Sequence, residues 1–199
     1  MPIMTMETER FHIVTGGPGA GKSTLIAALA AAGVATRPEA GRAIIRDQRE
    51  IDGPALPWRD RAAFAEAMAL WDMRSHREAA ERAGPVVFDR GLPDVIGYLR
   101  LCGLPVPAHL DRAARRFRYH RQVFLAPHWP AIFHGDAERR QDAAEAARTC
   151  GMMAETYADY GYELVPLPLA PVAERLRFVL ARIGAPLSAA AAARAPAPR

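Results

Sequence analysis

The sequence predicts an α/β fold, a parallel sheet with helices packed against it. Three observations carry that expectation. Short β-branched and aromatic runs at Phe11–Thr15, Val86–Phe88 and Gln122–Leu125 read as buried strands separated by helical stretches. The first run leads into GGPGAGKST, Gly16–Thr24, which has the G-x-x-x-x-G-K-[ST] pattern between a strand and a helix. At 199 residues, one domain is the natural count.

The glycine-rich loop is the most informative stretch. Gly16, Gly17, Gly19 and Gly21, with Pro18 and Ala20 between them, let the backbone wrap a phosphate without Cβ interference. The following helix points free N–H groups and its positive dipole end at the anion. Lys22 adds a point charge for the β- and γ-phosphates, the Ser23 hydroxyl can ligate Mg²⁺, and Thr24 completes the motif. Lys22 is the only lysine among 26 Lys and Arg residues. A compact ammonium and a planar guanidinium are not interchangeable in such a loop. The single lysine also leaves no Asn-Lys-x-Asp motif for reading guanine.

The first helix runs from Lys22 to Ala32, and Gly33 can end it. Val34–Thr36 reads as a second strand, broken by Pro38. Glu39, Arg42 and Arg46 then share one helix face. Glu39 lies just past a strand's carboxyl end, where ligand crevices form in such sheets. It is a candidate to orient or deprotonate a substrate hydroxyl, with Arg42 beside it. Residues 51–58 form a loop in which Trp58 is a candidate pocket residue. A long helix over Asp60–Arg82 carries Phe64, Met68 and Trp71 as an apolar stripe, read as core packing.

Val86–Phe88 ends on Asp89 and Arg90. An aspartate there can hold Mg²⁺ or accept a proton, and Arg90 can clamp an anionic group. Asp-Arg departs from the Asp-Glu of water-activating motor ATPases and leans toward phosphoryl transfer to a substrate. Asp89 and Glu39 remain competing bases. A short helix over Asp94–Leu101 precedes an arginine-rich one over His109–Tyr119. That second helix can be read as an RNA-binding patch, but a solvated face is preferred. Arg139 and Arg140 follow the fourth strand, on a segment read as a lid over residues 131–145. A helical stretch runs to Tyr160. Glu163–Pro166 reads as the last strand and Pro171–Ile183 as the last helix, with Leu176, Val179 and Leu180 inward and Arg175, Arg177 and Arg182 outward.

The N-terminal ten residues have no apolar core, no stretch approaches a membrane span, and Cys102 and Cys150 lack metal or redox spacing. The expectation is a cytoplasmic protein with free thiols. A formal net charge of +4 suits an anionic small substrate as well as nucleic acid. The expected organisation is one domain over residues 1–186 (core 11–183) and a disordered tail over 187–199.

These pieces resemble the P-loop kinases of the nucleoside and nucleoside-monophosphate type. GGPGAGKST looks like the adenylate-kinase form of the loop, VVFDRG like the Asp-Arg or Glu-Arg signature of deoxynucleoside and thymidylate kinases, and DAERRQ like their arginine-bearing lid. PEAGRAIIRDQ, FDRG, LAPHWP, ERRQ and VPLPLAPVAERLRFVL resemble more closely a family of small bacterial AAA-labelled ATPases related to the ribosylnicotinamide kinase domain. The resemblance implies a five-stranded parallel sheet in the order 2-3-1-4-5. It also implies ATP and Mg²⁺, and a kinase acting on a small nucleoside, nucleotide or related metabolite rather than on nucleic acid. A nucleotide-dependent switch hydrolysing ATP slowly on a protein or lipid partner is the alternative.

Overall fold

A computed structural model describes residues 8–132 and 143–185. Arg139, Arg140, most of the expected lid and the expected tail lie outside these residues. Strand β1 (Phe11–Gly16) is buried along its whole length, as a central parallel strand covered on both faces must be. It alternates sides: Phe11 and Ile13 enter one apolar cluster, Val14 the other. Helix α1 (Lys22–Ala31) follows, then β2 (Ala35–Arg37), one residue later than the sequence predicts, and α2 (Ala40–Glu50). Helix α3 (Arg61–Ala80) is started by Asp60, whose carboxylate accepts from the Ala63 amide at 2.9 Å. Strand β3 (Val86–Asp89), α4 (Leu92–Leu101), α5 (Ala108–Arg116) and β4 (Gln122–Ala126) come next. After a 3₁₀ turn, the chain ends in α6 (Ala143–Asp159), β5 (Glu163–Pro166) and α7 (Val172–Ile183).

The five strands pair in the order β2-β3-β1-β4-β5, all parallel, as the resemblance implies. On one face, Phe11, Ile13, Val86, Phe88 and Val123 pack with α3, α4, α5 and Tyr157 of α6. On the other, Val14, Val87 and Phe124 pack with α1 and α7. Because every strand runs the same way, the carboxyl ends of β1, β2 and β3 open on one edge. Register fixes the site: Val14 pairs with Asp89, and the Arg90 amide donates to the Val14 carbonyl at 3.0 Å. The end of β3 therefore sits beside the start of the glycine loop.

The last helix departs from expectation. Arg175 is buried, at 3% exposure, not outward. It stacks over the glycine loop and donates to the Ala20 carbonyl at 2.9 Å. A period-3.6 reading assigns an arginine to solvent by default, and here the neighbouring loop offers a carbonyl acceptor instead.

Candidate active site

The loop from Gly16 to Gly21 is shaped by backbone crowding as well as by conformational need. A Cβ on Gly17 would lie 2.3 Å from the Ala146 carbonyl oxygen, so α6 can approach only a glycine. Gly21 takes the left-handed conformation (φ 74°) at the start of α1. It caps the helix with no side chain, and the first turn of α1 holds no acidic residue. The first N–H groups of α1 are thus left to an incoming anion. Gly16, Gly17, Pro18 and Ala20 are buried, while Gly19, Ser23 and Thr24 are exposed. Lys22 is buried, and its Nζ donates to the Gly17 carbonyl at 2.6 Å, spanning the loop.

Asp89 ends β3 beside this loop. Its Oδ1 is buried without a hydrogen-bond partner among the described residues. Burial, and then the charge of Glu39, push its carboxyl up to about 6, while Lys22 and Arg90 pull the other way. A buried carboxylate oxygen with no protein donor, next to a phosphate-type loop and an exposed serine hydroxyl, is the donor set Mg²⁺ takes in such sites. One or two protein oxygens suffice when substrate phosphates supply others.

Arg90 takes a positive φ of 75°, an uncommon conformation for a residue with a Cβ. Its guanidinium lies between two carboxylates, Glu39 at 3.3 Å and Asp94 at 2.9 Å. Burial alone would lower its affinity for the proton, but Glu39, Asp94 and Asp89 together hold it above the ordinary arginine range. Glu39 precedes the first turn of α2, and Arg42 stands 3.9 Å from its second oxygen. Asp94, in the first turn of α4, accepts from the Thr15 hydroxyl at 2.5 Å, the Tyr157 hydroxyl at 2.6 Å, the Gly91 amide at 3.1 Å and Arg90.

A cavity of about 390 Å³ opens here. Pro18 of the loop forms one wall, and Glu39 and Arg90 another. Trp58, as the sequence predicts, and Phe64, Met68 and Tyr98 line the apolar side. Phe64 and Met68 thus serve both core and cavity, because α3 is covered on two sides. Arg42 is half-exposed beside Glu39 and is not among the lining residues.

The match to known families can be set beside this geometry. Residues 11–175 match a family described as an AAA domain. The chain belongs to that family. A search of curated proteins gives no match. Among solved structures, the family member is similar to the deoxyadenosine kinase of M. mycoides, solved with dCMP and a flexible dCDP. Their identity is 13% and the TM-score 0.63, over 87% of this chain and 98% of that one. It is also similar to the NadR protein solved in complex with NR, at 15% identity and a TM-score of 0.62. That match covers 91% of this chain and 52% of NadR. The chain has a P-loop kinase-like fold, and its structural neighbours include a nucleoside kinase.

Two buried cavity carboxyls escape a sequence reading. Asp94 reads there only as the start of a short helix. Asp72 lies inside the run ALWDM, yet Phe64, Met68 and Asp72 recur at intervals of four, which puts a carboxyl on a buried helix face. That spacing is the signal that could have found it. Among the described residues no helix is long and apolar enough to cross a membrane.

Proposed function

We propose that the protein is an ATP- and Mg²⁺-dependent phosphotransferase acting on a small nucleoside, nucleotide or related metabolite. The observation that carries this reading is the junction at Pro18, Glu39 and Arg90, where a glycine loop built for phosphates meets a half-open, partly apolar cavity. A hydrolytic switch needs the loop but not the cavity. The similarity in fold to a deoxyadenosine kinase solved with dCMP and dCDP supports the same reading.

In this reading Gly16–Thr24 holds the triphosphate of ATP, with Lys22 leaving the Gly17 carbonyl for phosphate oxygens. Ser23 and Asp89 would hold Mg²⁺, which neutralises charge on the phosphate oxygens when bound. Glu39 is the base: it faces the cavity, whereas Asp89 faces the loop. Arg90 fixes Glu39 in place, and Arg42 supports it from the solvent side. Arg139 and Arg140 are assigned to a lid that closes over the transferring phosphoryl group and excludes water. The whole forms a single domain over residues 1–186.

The test is a screen of nucleosides, nucleotides and related metabolites for ATP-dependent phosphorylation, with product detected by mass spectrometry. A phosphorylated product whose formation is lost in Lys22→Ala is expected. A screen without product, coupled to hydrolysis stimulated by a protein partner, overturns the kinase reading.

A further inference from the structure

The charges of the cavity narrow its ligand. Among the described residues four carboxyl side chains line it, Glu39, Asp72, Asp94 and Glu145, against two guanidiniums, Arg90 and the exposed Arg61, which donates to the Pro57 carbonyl. Arg90 is the cavity-lining cation beside the proposed base, and it is already held by Glu39 and Asp94. A phosphomonoester entering here would meet an arginine satisfied by two carboxylates and would have to displace one of them. An unionised hydroxyl needs only the Glu39 oxygen.

Asp72 supplies the second constraint. It is 8% exposed, lines the cavity from α3, and makes no hydrogen bond or ion pair with any described residue. Burial, and then Asp94, raise its carboxyl well above the usual range. Its carboxyl oxygens have no donor among the described residues and open on the cavity, where the N–H of a ligand can satisfy them. Its neighbours along the wall, Phe64, Met68 and Tyr98, offer flat apolar surface to a planar ring.

We infer that the acceptor is an unphosphorylated alcohol carrying a planar nitrogen heterocycle. Its ring edge presents an N–H donor to Asp72, and its hydroxyl faces Glu39. Asp72 is a specificity determinant, and nucleoside monophosphates are excluded. The inference rests on the cavity being the acceptor site, and it chooses the nucleoside over the nucleotide.

Equilibrium binding tests it apart from turnover. The full chain is titrated calorimetrically with Mg²⁺ and a non-hydrolysable ATP analogue present in excess, which keeps nucleosides out of the donor site. The probes are two matched pairs: cytidine with 2-pyrimidinone riboside, and adenosine with purine riboside. The second member of each pair lacks only the amino group. The 5′-monophosphates of cytidine and adenosine complete the set. In wild type, one amino-bearing nucleoside is expected to bind about 10- to 100-fold more tightly than its partner, the range of one hydrogen bond to a buried carboxyl. Its monophosphate is expected to bind far more weakly. Asp72→Asn keeps an acceptor oxygen and should keep most of the ratio. Asp72→Leu, branched alike at Cγ but without acceptor oxygens, should reduce the ratio to near one, with thermal unfolding confirming that it folds. The inference is overturned if the ratio survives in Asp72→Leu, if monophosphates bind as tightly as nucleosides, or if no nucleoside of the set binds. Selective binding without product in the presence of ATP supports it and sinks the phosphotransferase reading alone.

Discussion

Asp94 is where the site's geometry can be tested as stability. Its carboxylate receives four donors: Thr15 of β1, Arg90 after β3, the Gly91 amide and Tyr157 of α6. The residue is 5% exposed. Asp94→Ala removes the acceptor and strands the buried Arg90 charge against Glu39 alone. Removing one partner of a buried pair costs about 3–5 kcal/mol, because the other charge stays buried. For a domain of this size that lowers Tm by roughly 6–20 °C. The charge account makes a sharper demand. If the cost comes from stranding Arg90, Arg90→Met should be less harmful in the Asp94→Ala background than in wild type, giving a coupling energy of at least about 1 kcal/mol. Urea unfolding of the four proteins measures it. A loss below about 1 kcal/mol in Asp94→Ala, or strict additivity in the double variant, would refute the argument.

Three further outcomes are expected. Lys22→Ala should weaken nucleotide binding by about 10- to 100-fold with the fold kept, and Lys22→Arg should not rescue it; equal ATP binding in calorimetry would remove the phosphate-loop assignment. Glu39→Gln should lower kcat by about 10²–10⁴ without changing the Mg²⁺ requirement, whereas Asp89→Asn should raise the Mg²⁺ needed for half-maximal rate; exchanged behaviour would exchange their roles. His12, buried beside His120 with a ring distance of 4.6 Å, has its pKa lowered from 6.5 to about 4, by burial first. A depressed folded pKa means stability is present above pH 6.5 and lost as pH falls toward 4. The loss amounts to about 3 kcal/mol. Unfolding of His12→Phe across that range should show a correspondingly flatter profile, and an unchanged slope would contradict the linkage.

The sheet was legible because its strands obey local rules. Phe11–Gly16 and Val86–Asp89 are short, apolar and punctuated by glycine, and the resemblance supplied their order. The glycine loop was legible because its chemistry is contiguous in sequence. The acceptor side was legible only in part. Glu39 and Arg90 stand at strand ends, where position alone marks them. Asp72 stands in a helix interior and Asp94 in a helix's first turn, and their meaning depends on which helices cross above the sheet. Arg175 shows the converse failure: a charged residue on a helix was assigned to solvent, though α7 packs against the loop that accepts its proton.

The charges are divided unequally between the two halves of the site. On the acceptor side, Thr15, Asp94, Arg90, Glu39 and Arg42 form one connected series of hydrogen bonds and ion pairs across β1, α4, β3 and α2. That series is continuous, so Glu39, the proposed base, is held in place before any ligand arrives. On the donor side, Lys22 and Arg175 are held by main-chain carbonyls of the loop, Gly17 and Ala20. Arg175 makes no ion pair with a described residue, its Nε is buried without a partner, and burial lowers its pKa. A neutral carbonyl compensates a buried guanidinium less than an anion does. On the proposed reading, the glycine-loop side is therefore the half that would gain most electrostatically from a bound triphosphate. Binding there stabilises the folded chain by linkage, and the acceptor half is already rigid when it does so.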